Sequence, residues 1–331
     1  MKKNVLFVGF RSPLHSRFGG YDRIVGYPDS DFLNEKHIPF GFIPWGHRGK
    51  RLNLICMDMA ARIQRNNYDI IHYFYGDEIL FHDVPKHKKS KFIATIHFNA
   101  EKLSKKQFRV LKSFDGVICL SKEQEKYLKQ HDINAKFIPH GFCKVSFMDS
   151  SDILLNLGFD KSKINIVYSG TNYRDFETFR SIAQEMKNEK RIVFHAVGQK
   201  DEVKEILKSC QNVIVYDRLP DDVYYCLMHS CDYNFLPLLF ATANNSLLEA
   251  QSLGVVSILP LINGITDYAD MDNNIFYENF DQLIEIMRKI KKAEKNQSLV
   301  NFMDTYFSWE TVYSQLKQFY ASLLNDNGSE R

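Results

Sequence analysis

Along this chain, short apolar runs recur between stretches whose apolar residues fall at helical spacing. In the front half NVLFVGF (4–10), DIIHYFY (69–75), KFIATIH (91–97), GVICL (116–120) and AKFIP (135–139) read as strands. In the back half INIVYSG (164–170), RIVFHAV (191–197), NVIVY (212–216), YNFLP (233–237) and VVSIL (255–259) do the same. Several are apolar on both faces, as strands covered by two helix layers must be. Their alternation with helical stretches predicts parallel sheets with crossover helices. Both patterns lapse over 141–154, so the chain reads as two doubly wound α/β domains in tandem, 1–148 and 155–307. A last helix over 308–325 starts at Ser308 and carries Trp309, Val312, Tyr313, Leu316, Phe319, Tyr320 and Leu323 on one stripe. Such a stripe needs a partner surface, and the first domain is the expected one. Open α/β sheets bind ligands beyond the carboxyl ends of their strands, so two facing sheets predict a cleft between the domains.

Composition narrows the class. Apolar residues make up 44% and charged residues 25% of 331, the profile of a globular protein with room for two cores. The opening MKKNVLFVGFRSPLHS turns polar too soon for a signal peptide, and no run approaches a membrane span, so a cytoplasmic protein is expected. The six cysteines include no C-x-x-C pair and suggest no disulfide framework. The net charge of +3 hides an asymmetry: residues 1–148 hold 25 Lys and Arg against 14 Asp and Glu, and the remainder 18 against 26.

Several chemistries are excluded by spacing. The first strand is followed by GFRSPLHSRFGGY rather than G-x-G-x-x-G, and a Walker loop is absent, which argues against a dehydrogenase or a P-loop kinase. Cys226, His229 and Cys231 lack a fourth ligand and read as part of a packed helix. The pairs Asp29-Ser30-Asp31 and Asp270-Met271-Asp272 lie in turn-rich sequence and read as solvated turns, so no metal site is expected.

FLPLLFATANNSLLEAQSLGVVSILP (235–260) holds the most informative polar interruption. Asn244, Asn245 and Ser246 stand at the start of a helix between two strands, with Glu249 in its first turns. A helix start offers backbone N–H groups without intrahelical partners, which suits an anion. Ordinary capping by Asn or Ser is the alternative reading.

Landmarks in order make the chain resemble the GT-B glycosyltransferases of family 4, which are retaining enzymes. They are Gly19-Gly20, DIIHYFYGD, ATIHFNAE, GVICLSKEQEKYL, FIPHGF, YSGTNYRDFETF, HAVGQ, YDRLPDDVYYCLMHSCDYNFLP, NNSLLEAQSLGVV and FSWETVYSQL. The resemblance implies two Rossmann-like domains, an acceptor-side one and a nucleotide-sugar-binding one. It implies that Asn244, Asn245, Ser246 and Leu247 meet the donor diphosphate, that Glu249 accepts the ribose hydroxyls, and that His97 binds the donor sugar. Arg174 is the expected cation at the phosphates, with an exposed Arg174–Asp175 pair as the alternative, and Gly19 and Gly20 are expected to let backbone approach donor or acceptor, with plain loop flexibility as the alternative. His140 is read as shaping a turn. The first Glu of the family's Glu-x7-Glu motif is missing, with Ala241 in its place.

The expected activity is metal-independent transfer from a nucleotide-sugar, UDP-linked by family frequency, to a glycan or lipid-linked acceptor of a bacterial-type surface polysaccharide. The stretch 86–114 interleaves cations with Leu103, Phe108, Val110, Leu111 and Phe114, a pattern that suits either an anionic membrane surface or a core-facing helix with a solvated basic side. Nucleic acid is not expected as a partner. A catalytically silent GT-B subunit and a nucleotide-sugar epimerase are the alternatives.

Overall fold

The computed structural model describes residues 4–11, 15–34, 47–79, 83 and 89–325. It divides into two units, one comprising Met1–His15, Gly19–Gly141 and Phe307–Arg331, the other Ser16–Phe18 and Phe142–Tyr306.

The first unit contains β1 (Val5–Val8), β2 (Ser30–Leu33), α1 (His47–Gln64), β3 (Ile70–Tyr73), α2 (Gly76–Ile79), β4 (Lys91–Ile96), α3 (Lys105–Ser113), β5 (Gly116–Cys119), α4 (Lys122–Gln130) and β6 (Ala135–Phe137). Its sheet runs β2-β1-β3-β4-β5-β6 with every pairing parallel. The second unit contains α5 (Ser151–Asn156), β7 (Ile164–Ser169), α6 (Phe176–Glu185), β8 (Ile192–Val197), α7 (Asp201–Leu207), β9 (Val213–Tyr216), α8 (Asp221–Ser230), β10 (Tyr233–Phe235), α9 (Asn245–Ser252), β11 (Val256–Pro260), β12 (Ile275–Tyr277), α10 (Phe280–Lys289) and α11 (Gln297–Phe307). Its parallel sheet runs β12-β11-β10-β7-β8-β9. Strand order reverses beside β1 in one sheet and beside β7 in the other, the two places where such folds admit a ligand.

All four residues of β1, β3 and β5, and all six of β7 and β8, are buried, which explains their continuous apolar character. The two histidines among them are satisfied. His72 in β3 bonds Tyr320 Oη through Nδ1 at 2.7 Å and Thr95 Oγ1 through Nε2 at 2.6 Å. His195 in β8 bonds Tyr216 Oη and Asn165 Oδ1, both at 2.9 Å.

The final helix, α12 (Trp309–Asn325), begins after Ser308, whose hydroxyl accepts from Thr311 N. It belongs to the first unit and buries Trp309, Val312, Leu316, Phe319, Tyr320 and Leu323. Gly116 permits that packing, because a Cβ there would lie 2.8 Å from Phe319 Cζ and 2.9 Å from Leu323 Cδ1.

Two strands escape the sequence pattern. β2 and β12 are edge strands of four and three residues, too short and too exposed on one side to show an apolar run. As a result Asp29-Ser30-Asp31 is a turn only at Asp29, with φ 55°, before Ser30 enters β2. Asp31 then accepts from Tyr68 Oη at 2.9 Å. Asp270 does sit in a turn, accepting from Asp272 N and the Asn273 amide.

The helical part of the basic stretch 86–114 is α3. α3 is held by a Ser104–Gln107 capping box, and Val110, Leu111 and Phe114 are buried, whereas Lys105, Lys106, Arg109 and Lys112 are exposed. It is a core-facing helix with a solvated basic side. Residues 86–88 of that stretch lie outside the described residues. Among the described residues no helix is long and apolar enough to cross a membrane.

Candidate nucleotide-sugar site

In the second unit, the loops that leave β7 and β10 meet at the sheet's reversal point. Asp175 N donates to Pro237 O at 2.9 Å and Leu239 N to Tyr173 O at 3.0 Å, so the two loops form one backbone ledge. Arg174 lies on it. Its Nε donates to Ser169 O at 2.8 Å, Nη1 to Asn172 O at 3.1 Å and Nη2 to Asn244 Oδ1 at 3.5 Å. Gly170 makes this possible: its φ is +82°, and a Cβ would stand 2.8 Å from Arg174 Nη2. Burial lowers the Arg174 pKa, opposed by Tyr168, Tyr224 and Glu249, yet a guanidinium stays charged in proteins.

Across from Arg174 begins α9. Asn244 is its N-cap, with Oδ1 accepting from Leu247 N at 3.3 Å. The Leu247 amide is thereby engaged by the cap. Asn244 likewise serves through its side-chain oxygen, as cap and as Arg174 partner. Among the described residues the Asn245 and Ser246 amides have no acceptor, as the first N–H groups of a helix are expected not to.

Glu249 accepts from three side-chain hydroxyls. Tyr224 donates to Oε2 at 3.1 Å, while Tyr225 at 2.9 Å and Ser16 at 3.0 Å donate to Oε1. The chain of hydroxyls continues from Tyr224 to Ser169 Oγ (3.1 Å) and on to Ser246 Oγ (2.7 Å), linking the end of β7 to the first turn of α9. Burial pushes the Glu249 carboxyl above its ordinary range, and the three hydroxyls pull it back. In sequence Tyr224 and Tyr225 read as part of the same packed helix as Cys226 and His229. Only the doubled tyrosine two positions after an acidic pair hints that the first turns of α8 (Asp221–Ser230) face a polar site.

Ala241 is buried, and Gly264 approaches it so closely that a Cβ on Gly264 would lie 2.0 Å from Ala241 O. The position that lacks the motif's first Glu is thus a packed one.

His97, Gly19 and Gly20 lie in the first unit, His97 directly after β4 and the two glycines just before the short helical turn Tyr21–Gly26 that separates β1 from β2. His97 Nε2 donates to Phe74 O at 2.7 Å, which places the proton on that nitrogen. The ring lies 4.7 Å from that of Tyr75 and 5.0 Å from that of Tyr21. Its backbone is held by Asp77, whose Oδ2 accepts from His97 N (2.9 Å) and Phe98 N (2.8 Å). Burial lowers the His97 pKa, so the imidazole is neutral at pH 7. Asp77, missed in the sequence, is the residue that orients this strand end. Gly20 has φ +97°, and a Cβ there would meet His15 Nδ1 at 2.3 Å and Asp22 Oδ1 at 2.6 Å. His140 is buried against Tyr21 and Trp309.

Among the described residues no three His, Cys, Asp or Glu side chains are placed to hold a metal ion. Cys226 is directed at Ser150 O, and His229 packs on Phe147.

Residues 20–142 match the sequence family described as Glycosyltransferase Family 4. No curated protein matches the chain by sequence. Sucrose-phosphate synthase from Thermosynechococcus elongatus superimposes with a TM-score of 0.73 at 15% identity, over 98% of this chain and 100% of that one. HepE from Anabaena, solved with UDP and glucose, gives 0.69 at 14% identity over 97% and 100%. A glycosyltransferase from Rickettsia africae gives 0.66 at 14% identity over 98% and 99%. The fold is that of the GT-B glycosyltransferases, as the motif order implied.

Proposed function

Starting from a GT-B chain with a Glycosyltransferase Family 4 segment, we propose that this protein is a retaining glycosyltransferase using a nucleotide-sugar, with UDP as the favoured base. The observation that carries the reading is the convergence in one unit of Arg174, two unpartnered helix-start amides and a hydroxyl-ringed Glu249. A nucleoside diphosphate presents what these groups match: concentrated negative charge for the guanidinium and the Asn245 and Ser246 amides, and a vicinal diol for Glu249. Ser16 Oγ donates to Oε1, a contact of the kind a ribose hydroxyl would make in this reading.

Catalysis in this reading is mainly stabilisation of charge on the departing diphosphate. Preorganised donors are effective there because they need not reorient as charge develops. The leaving phosphate takes the proton of the acceptor hydroxyl on the same face, which retains the anomeric configuration. Metal is not needed for these steps. His97, neutral and held by Phe74 O, is assigned to the donor sugar, with Gly19 and Gly20 at the donor or acceptor. The acceptor is a glycan or lipid-linked saccharide of a surface polysaccharide, handled on the cytoplasmic side.

The buried packing at Ala241 favours one second reading, a GT-B subunit that binds nucleotide or glycan without turnover. Calorimetric titration with UDP and GDP, followed by an assay for release of UDP from common UDP-sugars, separates the two. Binding with turnover supports the transferase, and binding without it the silent subunit. Absence of nucleotide binding, or binding unchanged in Glu249→Ala, removes the proposed site.

A further inference from the structure

Three non-glycine residues among those described have a positive φ: Asp29, Asp132 and Tyr173. Aspartate tolerates the left-handed region because its short side chain bonds locally, whereas a tyrosine at φ 56° is strained there. The ledge beyond β7 and β10 enforces that conformation. Leu239 N donates to Tyr173 O at 3.0 Å, and Arg174 pairs with Leu238 in an antiparallel bridge. The ring so presented meets that of Phe240 edge to face, with centroids 5.1 Å apart. A bulky side chain kept in a disfavoured conformation beside Arg174 points to a task for its ring.

The surface around the ring narrows the task. Residues 236–243 read LPLLFATA, without a charge, and their one hydroxyl, on Thr242, is buried. Leu239 is 71% exposed, and Tyr173 and Phe240 are half-buried. Glu249, by contrast, sits among three hydroxyls, the surroundings of a group that recognises hydroxyls. A sugar hydroxyl laid on an apolar ledge loses its water without gaining a partner, a cost that a methyl group does not carry.

We propose that Tyr173, Phe240 and Leu239 are this unit's contacts to the donor sugar, and that they select a sugar bearing a methyl group, N-acetyl or 6-deoxy, over a fully hydroxylated hexose. This inference rests on the nucleotide-sugar reading above, in which Glu249 takes the ribose and the helix-start amides with Arg174 take the diphosphate. A nucleotide-sugar runs in the order ribose, diphosphate, sugar. Arg174 joins the start of α9 to the ledge, with Nη2 on Asn244 and its backbone bridged to Leu238, so the sugar follows the diphosphate onto Tyr173 and Phe240.

The test titrates the full chain with UDP, UDP-glucose, UDP-N-acetylglucosamine and UDP-6-deoxyglucose. A methyl-bearing donor is expected to bind about tenfold or more tightly than UDP-glucose, the scale of one methyl-sized difference in an apolar pocket. A gain for UDP-N-acetylglucosamine assigns the acetamido methyl, and a gain for UDP-6-deoxyglucose the C6 methyl. Tyr173→Gly removes the ring yet adopts this φ freely, so the fold should survive, as circular dichroism checks. Phe240→Leu keeps apolar bulk and removes only the aromatic edge. In both variants the gain should shrink to about twofold or less, while UDP, which carries no sugar, binds as it does to wild type. UDP-glucose binding as tightly as both methyl-bearing donors overturns the proposal, and so does a gain that survives in both variants. Those two outcomes leave UDP binding, and with it the nucleotide site, intact; absence of UDP binding removes the site and this inference together.

Discussion

Tyr225 donates its hydroxyl to Glu249 Oε1 at 2.9 Å, while the adjacent Tyr224 reaches Oε2 at 3.1 Å, so two neighbours in α8 hold the two oxygens of one carboxylate. The pair keeps Glu249 in place yet does not cancel its burial, and its pKa stays raised. A carboxyl raised in the folded state costs stability above its folded pKa, and that cost vanishes below the unfolded value of roughly 4.3. Glu249→Gln should accordingly melt above wild type at pH 7–8, with the gap closing toward pH 4. The same variant should bind UDP about tenfold or more weakly, since a charged hydrogen-bond acceptor is lost. Thermal melts across pH and a UDP titration check both halves; a Gln variant less stable at pH 8 than wild type contradicts the first.

Arg174 is held by three acceptors in a fork that lysine cannot reproduce. Arg174→Lys is expected to lower turnover of the accepted UDP-sugar by about 10²- to 10³-fold, the scale seen when one preorganised donor is removed. Steady-state kinetics measure it. Turnover within a factor of two of wild type would place the charge stabilisation elsewhere.

Gly170→Ala tests the same fork without touching it. A side chain at φ +82° is strained, by about 1–3 kcal/mol for such backbone positions, and the new methyl would push on Arg174 Nη2. Lower stability with weaker UDP affinity is expected. Weaker stability alone would mean that Arg174 finds its place without this glycine.

Four buried histidines should make the protein acid-labile. Burial holds His72 and His140 at about 3 and His195 at about 4, and lowers His97. Depressed folded pKa values mean that the unfolded chain takes protons first, so stability is intact above the unfolded value near 6.5 and falls as pH drops through the window beneath it. Each histidine contributes about 1.4 kcal/mol per pH unit in that window. Three of the four lie in the first unit, where the raised Asp77 offsets them in part. Both tryptophans fall in the sequence ranges of that unit, so denaturant unfolding followed by their fluorescence at pH 7, 6 and 5 should show its transition weakening fastest. A pH-independent midpoint would contradict the assignment of these imidazoles as buried and neutral.

Tyr320→Phe removes the 2.7 Å partner of His72 Nδ1 and leaves a ring nitrogen unpaired inside the sheet. The expected loss is about 1–3 kcal/mol, read from denaturant midpoints. A neutral outcome would show that water reaches His72.

The strands of both sheet interiors were legible because burial on two faces demands uninterrupted apolar runs. The edge strands β2 and β12 were not, since a half-covered strand of three or four residues carries little pattern. At the candidate site, Arg174 stood out as a charge beyond a strand end and Glu249 as one in the first turns of a helix. Tyr224, Tyr225 and Ser169 did not, because a tyrosine that packs its ring and turns its hydroxyl to a carboxylate reads in sequence as core. Leu247 shows the converse limit: its amide belongs to the helix start, and only the Asn244 side chain decides that the bond stays internal.

The placement of α12 has a consequence for biosynthesis. Residues 309–325 leave the ribosome after everything from 142 to 306, yet they complete a layer of the unit built mainly from residues 19–141. Until they arrive, the nascent sheet keeps one side uncovered around Gly116 and His72, while the middle of the chain already has all its own parts. The later unit can therefore mature first, and the earlier one is the natural client of a holding chaperone during translation.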